Sequence, residues 1–220
     1  LSALYACLSC EQALHVGAAS VSDLKTGCNL LVGILCGSAK DRLYANAPVT
    51  HPDQARVIQL YDTLASYDNE HKIQMALADS ITPSADATTW TVHLRDGLKF
   101  SDGRPLTAED VIFTFRRITD PASPQSGASA LSTLNRDALK ATDSQTVVFS
   151  FNAPNSTFPD TAAQYSLGIV PADYDPKKPI GAGPFMMETF TAGQQSVFVK
   201  NPHYWQAGQP LVDKVTIIDF

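Results

Sequence analysis

The chain has 220 residues, a formal net charge of −6, 44% hydrophobic residues and 17% charged residues. This balance is typical of a folded globular protein and excludes a disordered chain. The acidic charge, without any cluster of lysine or arginine, argues against nucleic acid or an anionic membrane as the main partner, and no apolar run reaches the ~18 residues that span a bilayer.

The N-terminal segment differs in composition from the rest of the chain. It contains all four cysteines, at Cys7, Cys10, Cys28 and Cys36. The Cys7-x-x-Cys10 pair is compatible with a thiol or redox role, but a zinc site needs about four ligands and no second CxxC follows. Residues 1–28 begin with a short apolar run, without an initiator Met or a basic leader. We therefore predict a leader remnant or poorly ordered segment there, with lipidation of Cys7 left open.

The first predicted core elements are a strand, a loop and a helix. The apolar run from Leu30 to Cys36 predicts a strand that is buried on both faces of a sheet. After a loop, Thr50-His51-Pro52-Asp53 marks a helix start, because Pro and Asp both suit the first turn. The predicted apolar face of this helix consists of Ala55, Ile58, Tyr61, Leu64 and Ala65.

A hairpin is predicted in the middle of the chain. Residues 90–94 alternate between apolar and polar side chains, which is the pattern of a half-buried strand. Asp96-Gly97 favours a tight turn, and Leu98 and Phe100 resume the alternation as the second arm of the hairpin.

A helix is predicted directly after the hairpin. Thr107 is its predicted N-cap and Asp110 completes a capping box, while Val111, Ile112 and Phe115 share one face. Later elements are a short helix at 128–134, a strand at 146–151, a helix at 158–165 and strands at 168–170, 196–200 and 216–220.

The hairpin–helix region carries a resemblance to a known family. Residues 91–111 resemble the signature run of family 5 extracellular solute-binding proteins, the dipeptide, oligopeptide and nickel receptors of ABC importers. Pro179-Ile180-Gly181-Ala182-Gly183-Pro184-Phe185 is similar to a second motif of this family, with Ala182 in place of the usual Thr. Asn201-Pro202-His203-Tyr204-Trp205 is similar to a third, and the resemblance extends over about residues 30–220.

This resemblance implies an α/β (mixed α+β) fold, the first lobe of a type II periplasmic binding protein. Residues 29–70 and 168–220 are expected to form a sheet subdomain, and residues 71–167 a smaller inserted α+β subdomain. The second lobe of the family would follow the last strand, so the sequence is expected to be a fragment.

The resemblance also implies a function. The chain is expected to be the substrate-binding component of an ABC transporter, a periplasmic or cell-surface monomer that passes a peptide-like solute to a membrane permease. Ligand contacts are predicted where the chain should reach the edge of the cleft. Three segments are predicted to do so: the loop 37–51, the turn near Ser129, and Tyr165-Ser166. The predicted ligand-binding residues are Gly37, Ser38, Thr50, His51, Ser129, Tyr165 and Ser166. Arg95, Asp102 and Gly183, in the family motifs, are assigned to the fold.

The residues give little sign of other chemistry. The five histidines show no metal-binding spacing and no serine lies in a GxSxG motif, so neither enzymatic activity, a metal site nor a cofactor is expected. Gly181 and Gly183 lack the Lys-Ser/Thr and helix start of a phosphate loop, and instead predict a tight backbone path. Two alternatives stay open: a nickel, haem or metallophore receptor of the same fold that uses His51, and a thiol protein that uses Cys7 and Cys10.

Overall fold

The computed structural model of the chain describes residues 5–8, as backbone, and residues 27–220. These residues form a mixed α/β fold. The helices are α1 (His51–Leu60), α2 (Ala108–Ile118) and α3 (Phe158–Ala162). The strands are β1 (Tyr5–Leu8), β2 (Asn29–Ile34), β3 (Ala65–Tyr67), β4 (Ile73–Met75), β5 (Ala78–Pro83), β6 (Thr89–Leu94), β7 (Lys140–Ala141), β8 (Thr146–Ser150), β9 (Phe185–Thr191), β10 (Gln195–Lys200) and β11 (Lys214–Asp219).

The largest sheet joins the early and late parts of the chain. Its strand order is β1-β2-β11-β10-β9, with β2 and β11 parallel and the other neighbours antiparallel. In the parallel pair, Asn29 lies opposite Lys214 and Ile34 opposite Asp219. The strands predicted at 30–36, 196–200 and 216–220 are confirmed as β2, β10 and β11, although β2 ends at Ile34.

A second sheet has four strands in the order β5-β6-β8-β7, and these strands lie between β2 and β9 in the sequence. Strands β3 and β4 form a separate pair. Buried apolar side chains form two clusters. One includes Trp90, Phe115 and Phe149 beneath α2, and the other includes Val57, Phe198 and Ile217 between α1 and the five-stranded sheet.

The helix predicted after the hairpin is confirmed. Thr107 and Asp110 form the predicted capping box, in which the Thr107 backbone N–H donates to the Asp110 carboxylate at 2.9 Å. Val111, Ile112, Phe115 and Ile118 are all buried. Residues that lie close together in sequence specify this element, and so the local pattern predicts it well.

The predicted apolar face of α1 is wrong in part. Its buried residues are Pro52, Asp53, Arg56, Val57 and Leu60, while Ile58 is 49% exposed. The helix ends at Leu60, so Tyr61, Leu64 and Ala65 are buried as predicted but lie beyond it. The physical reason is that Asp53 and Arg56 find ionic partners inside the protein, so the charged side of the helix turns inward.

The predicted second arm of the hairpin is also wrong. Leu98 and Phe100 are buried, but β6 pairs with β5 and β8 instead. The chain folds back on itself, because the N–H of Leu106 donates to the carbonyl of Leu98 at 3.0 Å and the N–H of Phe100 donates to Arg104 at 2.9 Å.

Two further predictions differ from the structure. The predicted strand at 168–170 is irregular, because its N–H groups bind Asp62 and the hydroxyl of Thr114 rather than a neighbouring strand. The strand β2 is not covered on both faces, since Leu31 is 37% exposed.

The leader at residues 1–28 stays a prediction. Strand β1, which holds Cys7 and pairs with β2, lies within it, and Cys10 lies outside the described residues.

The tight path predicted at Gly181 and Gly183 is confirmed. A Cβ atom on Gly181 would lie 2.1 Å from the carbonyl oxygen of Leu60, and one on Gly183 would lie 2.5 Å from the Leu60 carbonyl carbon. The Gly183 N–H donates to that carbonyl oxygen at 2.9 Å. In the described part of the chain, no helix is both long and apolar enough to cross a membrane.

Candidate functional site

A single buried carboxylate closes the loop that precedes α1. Asp53, in the first turn of the helix, is 1% exposed. Its Oδ1 accepts a hydrogen bond from the N–H of Arg42 at 2.8 Å. Its Oδ2 accepts from the N–H groups of Val49 at 3.2 Å and Thr50 at 3.3 Å. The two ends of loop 42–50 are therefore bound to one side chain, which limits the conformations of the residues between them.

Arg56 links this loop to the large sheet. Its guanidinium is fully buried and donates to Asp41 Oδ2 at 3.0 Å, to Ser196 Oγ at 2.6 Å and to the carboxylate of Asp219. Asp53 lies 3.9 Å from the same guanidinium. Burial raises the pKa of Asp219, an effect that the neighbouring Arg56 opposes. Three carboxylates, from the loop, the helix and the last strand, thus share one cation.

A second junction lies at Asn46, which is fully buried. Its Nδ2 donates to the carbonyls of Ser166 at 2.9 Å and Gly168 at 3.0 Å. Its Oδ1 accepts from Arg117 Nη1 at 2.7 Å, and its own carbonyl accepts from the N–H of Ser126 at 3.1 Å. Asn46 therefore holds together the loop 42–50, helix α2 and the segments around residues 126 and 166.

The segments around residues 127 and 166 are in close contact. A Cβ atom on Gly127 would lie 2.4 Å from Leu167 Cδ2 and 3.2 Å from Ser166 Oγ, so a larger residue here would displace the side chain of Leu167. Two of the three predicted ligand-binding segments, those of Ser129 and of Tyr165-Ser166, are thus neighbours through Gly127.

Three of the other predicted ligand-binding residues, Gly37, Ser38 and Thr50, lie against neighbouring parts of the protein. A Cβ atom on Gly37 would lie 2.2 Å from the Cβ of Asp219, and Ser38 Oγ accepts from the N–H of Lys40 at 3.1 Å. Thr50 caps α1, with its hydroxyl accepting from the N–H of Asp53 at 3.1 Å. His51, the first residue of α1, is exposed.

Ser129 is exposed and Tyr165 is 45% exposed, whereas Ser166 is 7% exposed and its carbonyl is bound to Asn46. A ligand role for each of the seven predicted residues stays a prediction.

The anchored segments present apolar and aromatic side chains to solvent. Tyr44 is 37% exposed and Val49 is 71% exposed, on either side of the buried Asn46. The Arg42 guanidinium lies 5.5 Å from the centre of the Tyr44 ring. Exposed aromatic and apolar side chains on a fixed backbone offer contact area at a small loss of conformational entropy. The sequence predicts no individual role for Tyr44, Asn46 and Val49, although all three lie in the predicted loop 37–51, because nothing local distinguishes them from other loop residues.

A third junction contains a carboxyl group with a shifted pKa. The Trp205 Nε1–H donates to Asp62 Oδ2 at 2.6 Å, and the carbonyl of Asp62 accepts from the N–H of Ile169 at 2.8 Å. The ring of Trp205 lies 4.8 Å from the guanidinium of Arg95, which donates to the carbonyl of Ala76 at 2.6 Å. Burial raises the pKa of Asp62 to about 6, although the hydrogen bond from Trp205 favours the ionised form.

We expect Asp62→Asn to stabilise the protein at neutral pH. Because the pKa of Asp62 is higher in the folded state, folding takes up a proton between about pH 4 and 6, and stability falls as the pH rises through that range. Above pH 6 the ionised carboxylate lowers the free energy of unfolding by up to about 3 kcal/mol. The neutral amide removes this cost, and its oxygen still accepts the hydrogen bond from Trp205. Urea unfolding at pH 4, 5, 6 and 7.5 measures the difference.

The gain from Asp62→Asn should shrink toward zero at pH 4, where the wild-type carboxyl is protonated. The control is Glu70→Gln, which neutralises an exposed carboxylate and should not give a gain of this size. A gain of the same size at every pH would contradict an origin in the ionisation of Asp62.

In the region 27–220, no group of three or more His, Cys, Asp or Glu side chains is arranged to hold a metal ion. His51 therefore has no such cluster around it among these residues.

The mixed α/β fold, with a sheet built from both parts of the chain and a second sheet inserted between them, is that of the periplasmic solute-binding proteins. The chain belongs to family 5 of the bacterial extracellular solute-binding proteins, since residues 72–220 match the family model "Bacterial extracellular solute-binding proteins, family 5 Middle". The predicted resemblance is confirmed. The family is one of solute-binding transport proteins rather than enzymes, and its members are periplasmic or extracellular.

Among curated proteins, the chain is 33% identical over 170 residues to Protein XP55 of Streptomyces lividans, covering 72% of this chain and 30% of that protein. It is 31% identical over 170 residues to the Glutathione-binding protein GsiB of Escherichia coli strain K12, covering 74% of this chain and 33% of that protein. The aligned region thus spans about a third of the length of these relatives.

Among solved structures, the chain resembles the PBP AgaA of A. tumefaciens R10 in complex with agropinic acid, with a TM-score of 0.80 and 29% identity, covering 87% of this chain and 40% of AgaA. It also resembles Haemophilus influenzae OppA in complex with the peptide RPPGFSPFR, with a TM-score of 0.75 and 26% identity, covering 86% of this chain and 42% of OppA.

Proposed function

We propose that this protein is the substrate-binding component of an ABC importer and captures a peptide-like small solute. The observation that carries this proposal is the anchored loop: Asp53 and Asn46 fix residues 42–50 from inside, while Tyr44 and Val49 stay exposed. Membership in a family of solute-binding proteins makes a ligand-binding wall the natural use of such a surface. In this proposal the protein acts as a monomer outside the cytoplasmic membrane and delivers its solute to a permease.

The proposed wall consists of the loop 42–50 with the segments 127–129 and 165–167. In the proposed mechanism a second lobe faces this wall, and the solute binds between the two. Closure is driven by the higher affinity of the closed state, since a ligand shifts such an equilibrium only by its differential affinity. Contacts to the peptide backbone and to aromatic side chains tolerate solutes of varied sequence.

We expect this 220-residue chain to bind peptides only weakly, because one wall supplies part of the contacts. Trialanine added to an isotope-labelled sample should shift the amide NMR signals of residues 44–50, 127–129 and 165–167, with a Kd on the order of 1 mM or weaker. Tyr165→Ala should weaken this binding about fivefold, the effect of one lost aromatic contact.

Tyr67→Ala is the matched control, because Tyr67 is 46% exposed and Tyr165 is 45% exposed. Tyr67 lies in β3, outside the proposed wall, so its replacement should leave trialanine binding unchanged. Shifts confined to other surfaces would refute the wall, and micromolar binding by this chain would refute the need for a second lobe.

A further inference from the structure

Three arginines converge on a cavity of about 460 Å³ beside the C-terminal half of α2. Arg116 and Arg117 come from the last turn of this helix, and Arg136 comes from a separate segment that follows it. None of the residues that line this cavity belongs to the loop 42–50 or to the segments 127–129 and 165–167. The cavity is therefore distinct from the proposed solute-binding wall.

Backbone carbonyls orient two of these guanidinium groups without neutralising them. Arg116 Nη2 donates to the carbonyl of Leu139 at 3.1 Å, and Arg136 Nε donates to the carbonyl of Arg116 at 3.1 Å. A carbonyl fixes the position of a guanidinium but carries no net charge. Each group therefore keeps its full positive charge and has further N–H donors available.

Arg117 is held differently from the other two. Its Nη1 donates to Asn46 Oδ1, and its guanidinium lies 4.7 Å from the centre of the Tyr174 ring. Within the described residues, the ion pairs of arginine involve Arg56, Arg95 and Arg104. Among the described residues, no carboxylate oxygen thus lies within 4.0 Å of a guanidinium nitrogen of the three arginines in the cavity. None of the three is ion-paired with these residues.

The rest of the cavity combines acidic and apolar groups. Glu109 and Asp120 also line it, so three guanidinium groups and two carboxylates leave one positive charge in excess. Its apolar lining includes Ile112 and the partly buried Phe113. An excess of one charge favours a monoanion over a dianion, and the apolar side chains favour a ligand with an apolar body.

We propose that this cavity binds a small organic carboxylate, with its carboxylate group on Arg116 and Arg136 and its apolar body against Ile112 and Phe113. The planar guanidinium fork matches the geometry of a carboxylate, which allows two parallel hydrogen bonds. Compensation of the helix dipole accounts for Arg116 and Arg117 in the last turn of α2. It does not account for Arg136, which another segment brings to the same cavity.

The probe is benzoate, with benzamide as its neutral counterpart and acetate as a carboxylate without an aromatic body. Titration is followed by NMR of the arginine Nε–H signals at about 50 mM salt, where screening is moderate. Benzoate should shift the signals of Arg116 and Arg136 in a saturable manner, with a Kd on the order of 1 mM. Acetate should bind more weakly, and benzamide should cause no saturable shift.

Arg136→Gln should weaken benzoate binding about tenfold, as expected for the loss of one charge-assisted hydrogen bond. Arg104→Gln is the control, because Arg104 is ion-paired with Asp102 and Asp173 away from this cavity; it should leave benzoate binding unchanged. A thermal unfolding midpoint close to that of the wild type would show that Arg136→Gln is folded.

Three results would overturn the proposal. These are the absence of a saturable shift up to about 20 mM benzoate, equal binding of benzamide, and equal benzoate affinity of Arg136→Gln and the wild type. Inorganic phosphate that binds as tightly as benzoate would overturn the preference for a monoanion with an apolar body. This test does not depend on the solute-binding wall, whose own test uses trialanine.

Discussion

Arg56→Met is expected to lower the free energy of unfolding by about 3–5 kcal/mol, the range measured when one partner of a buried ion pair is removed. The guanidinium of Arg56 has no exposed surface and lies among the carboxylates of Asp41, Asp53 and Asp219. Methionine fills a similar volume but leaves these carboxylates buried without their cation. Urea unfolding at pH 7 measures the loss, provided that the variant still folds.

Arg104→Met provides the comparison for this prediction. Arg104 is also ion-paired with carboxylates, those of Asp102 and Asp173, but its side chain is 45% exposed. Solvent screens this pair, so its loss should change stability by less than about 1 kcal/mol. Equal effects of the two substitutions would mean that burial does not determine the strength of the Arg56 cluster.

A second measurement tests the position of Arg56 between the loop and the sheet. Relative to the wild type, Arg56→Met should accelerate the exchange of the Val49 and Thr50 amide protons with solvent more than that of the α2 amide protons. These two amides are bound to Asp53, which lies 3.9 Å from Arg56. Exchange that rises equally in α2 and in the loop would indicate global destabilisation without a specific link to the loop.

The helix α1 shows where prediction from sequence fails. Its start is specified locally by Thr50 and Asp53, and the predicted N-terminus is confirmed. Its buried face is not specified locally, because Asp41 and Asp219 turn Arg56 inward, and these residues are 15 and 163 positions away in the sequence. A periodicity that treats every charged residue as exposed cannot detect partners at such separations.

The candidate site also depends on partners that are distant in the sequence. The sequence indicates that loop 37–51 and the segments near Ser129 and Tyr165 lie at connections between elements, where binding groups tend to occur. It does not reveal that Asn46 is buried and joins these segments, since a buried asparagine needs partners that only the tertiary structure supplies. The motif at residues 179–185 is predicted more fully, because close backbone approach restricts a position to glycine whatever the distant partners are.

Gly181→Ala is expected to destabilise the protein by about 3–4 kcal/mol, the sum of overpacking and a lost hydrogen bond. A Cβ atom at this position would lie 2.1 Å from the carbonyl oxygen of Leu60 and 2.6 Å from Tyr61 Cδ1. The Leu60 carbonyl belongs to the last turn of α1 and accepts from the N–H of Gly183 at 2.9 Å. To admit the methyl group, the two backbones must separate and give up this hydrogen bond.

The control for Gly181→Ala is Gly97→Ala, because a Cβ atom on Gly97 would meet no atom within 4 Å. Gly97 has a φ of +70°, so alanine there is strained by about 1 kcal/mol through the backbone alone. Urea unfolding of both variants separates steric contact from conformational strain. The atom nearest to a Cβ on Gly181 is a backbone carbonyl oxygen, which cannot move aside as the end of a side chain can. Gly181→Ala should therefore be the more damaging of the two, and the opposite order would show that these backbones are not in close contact.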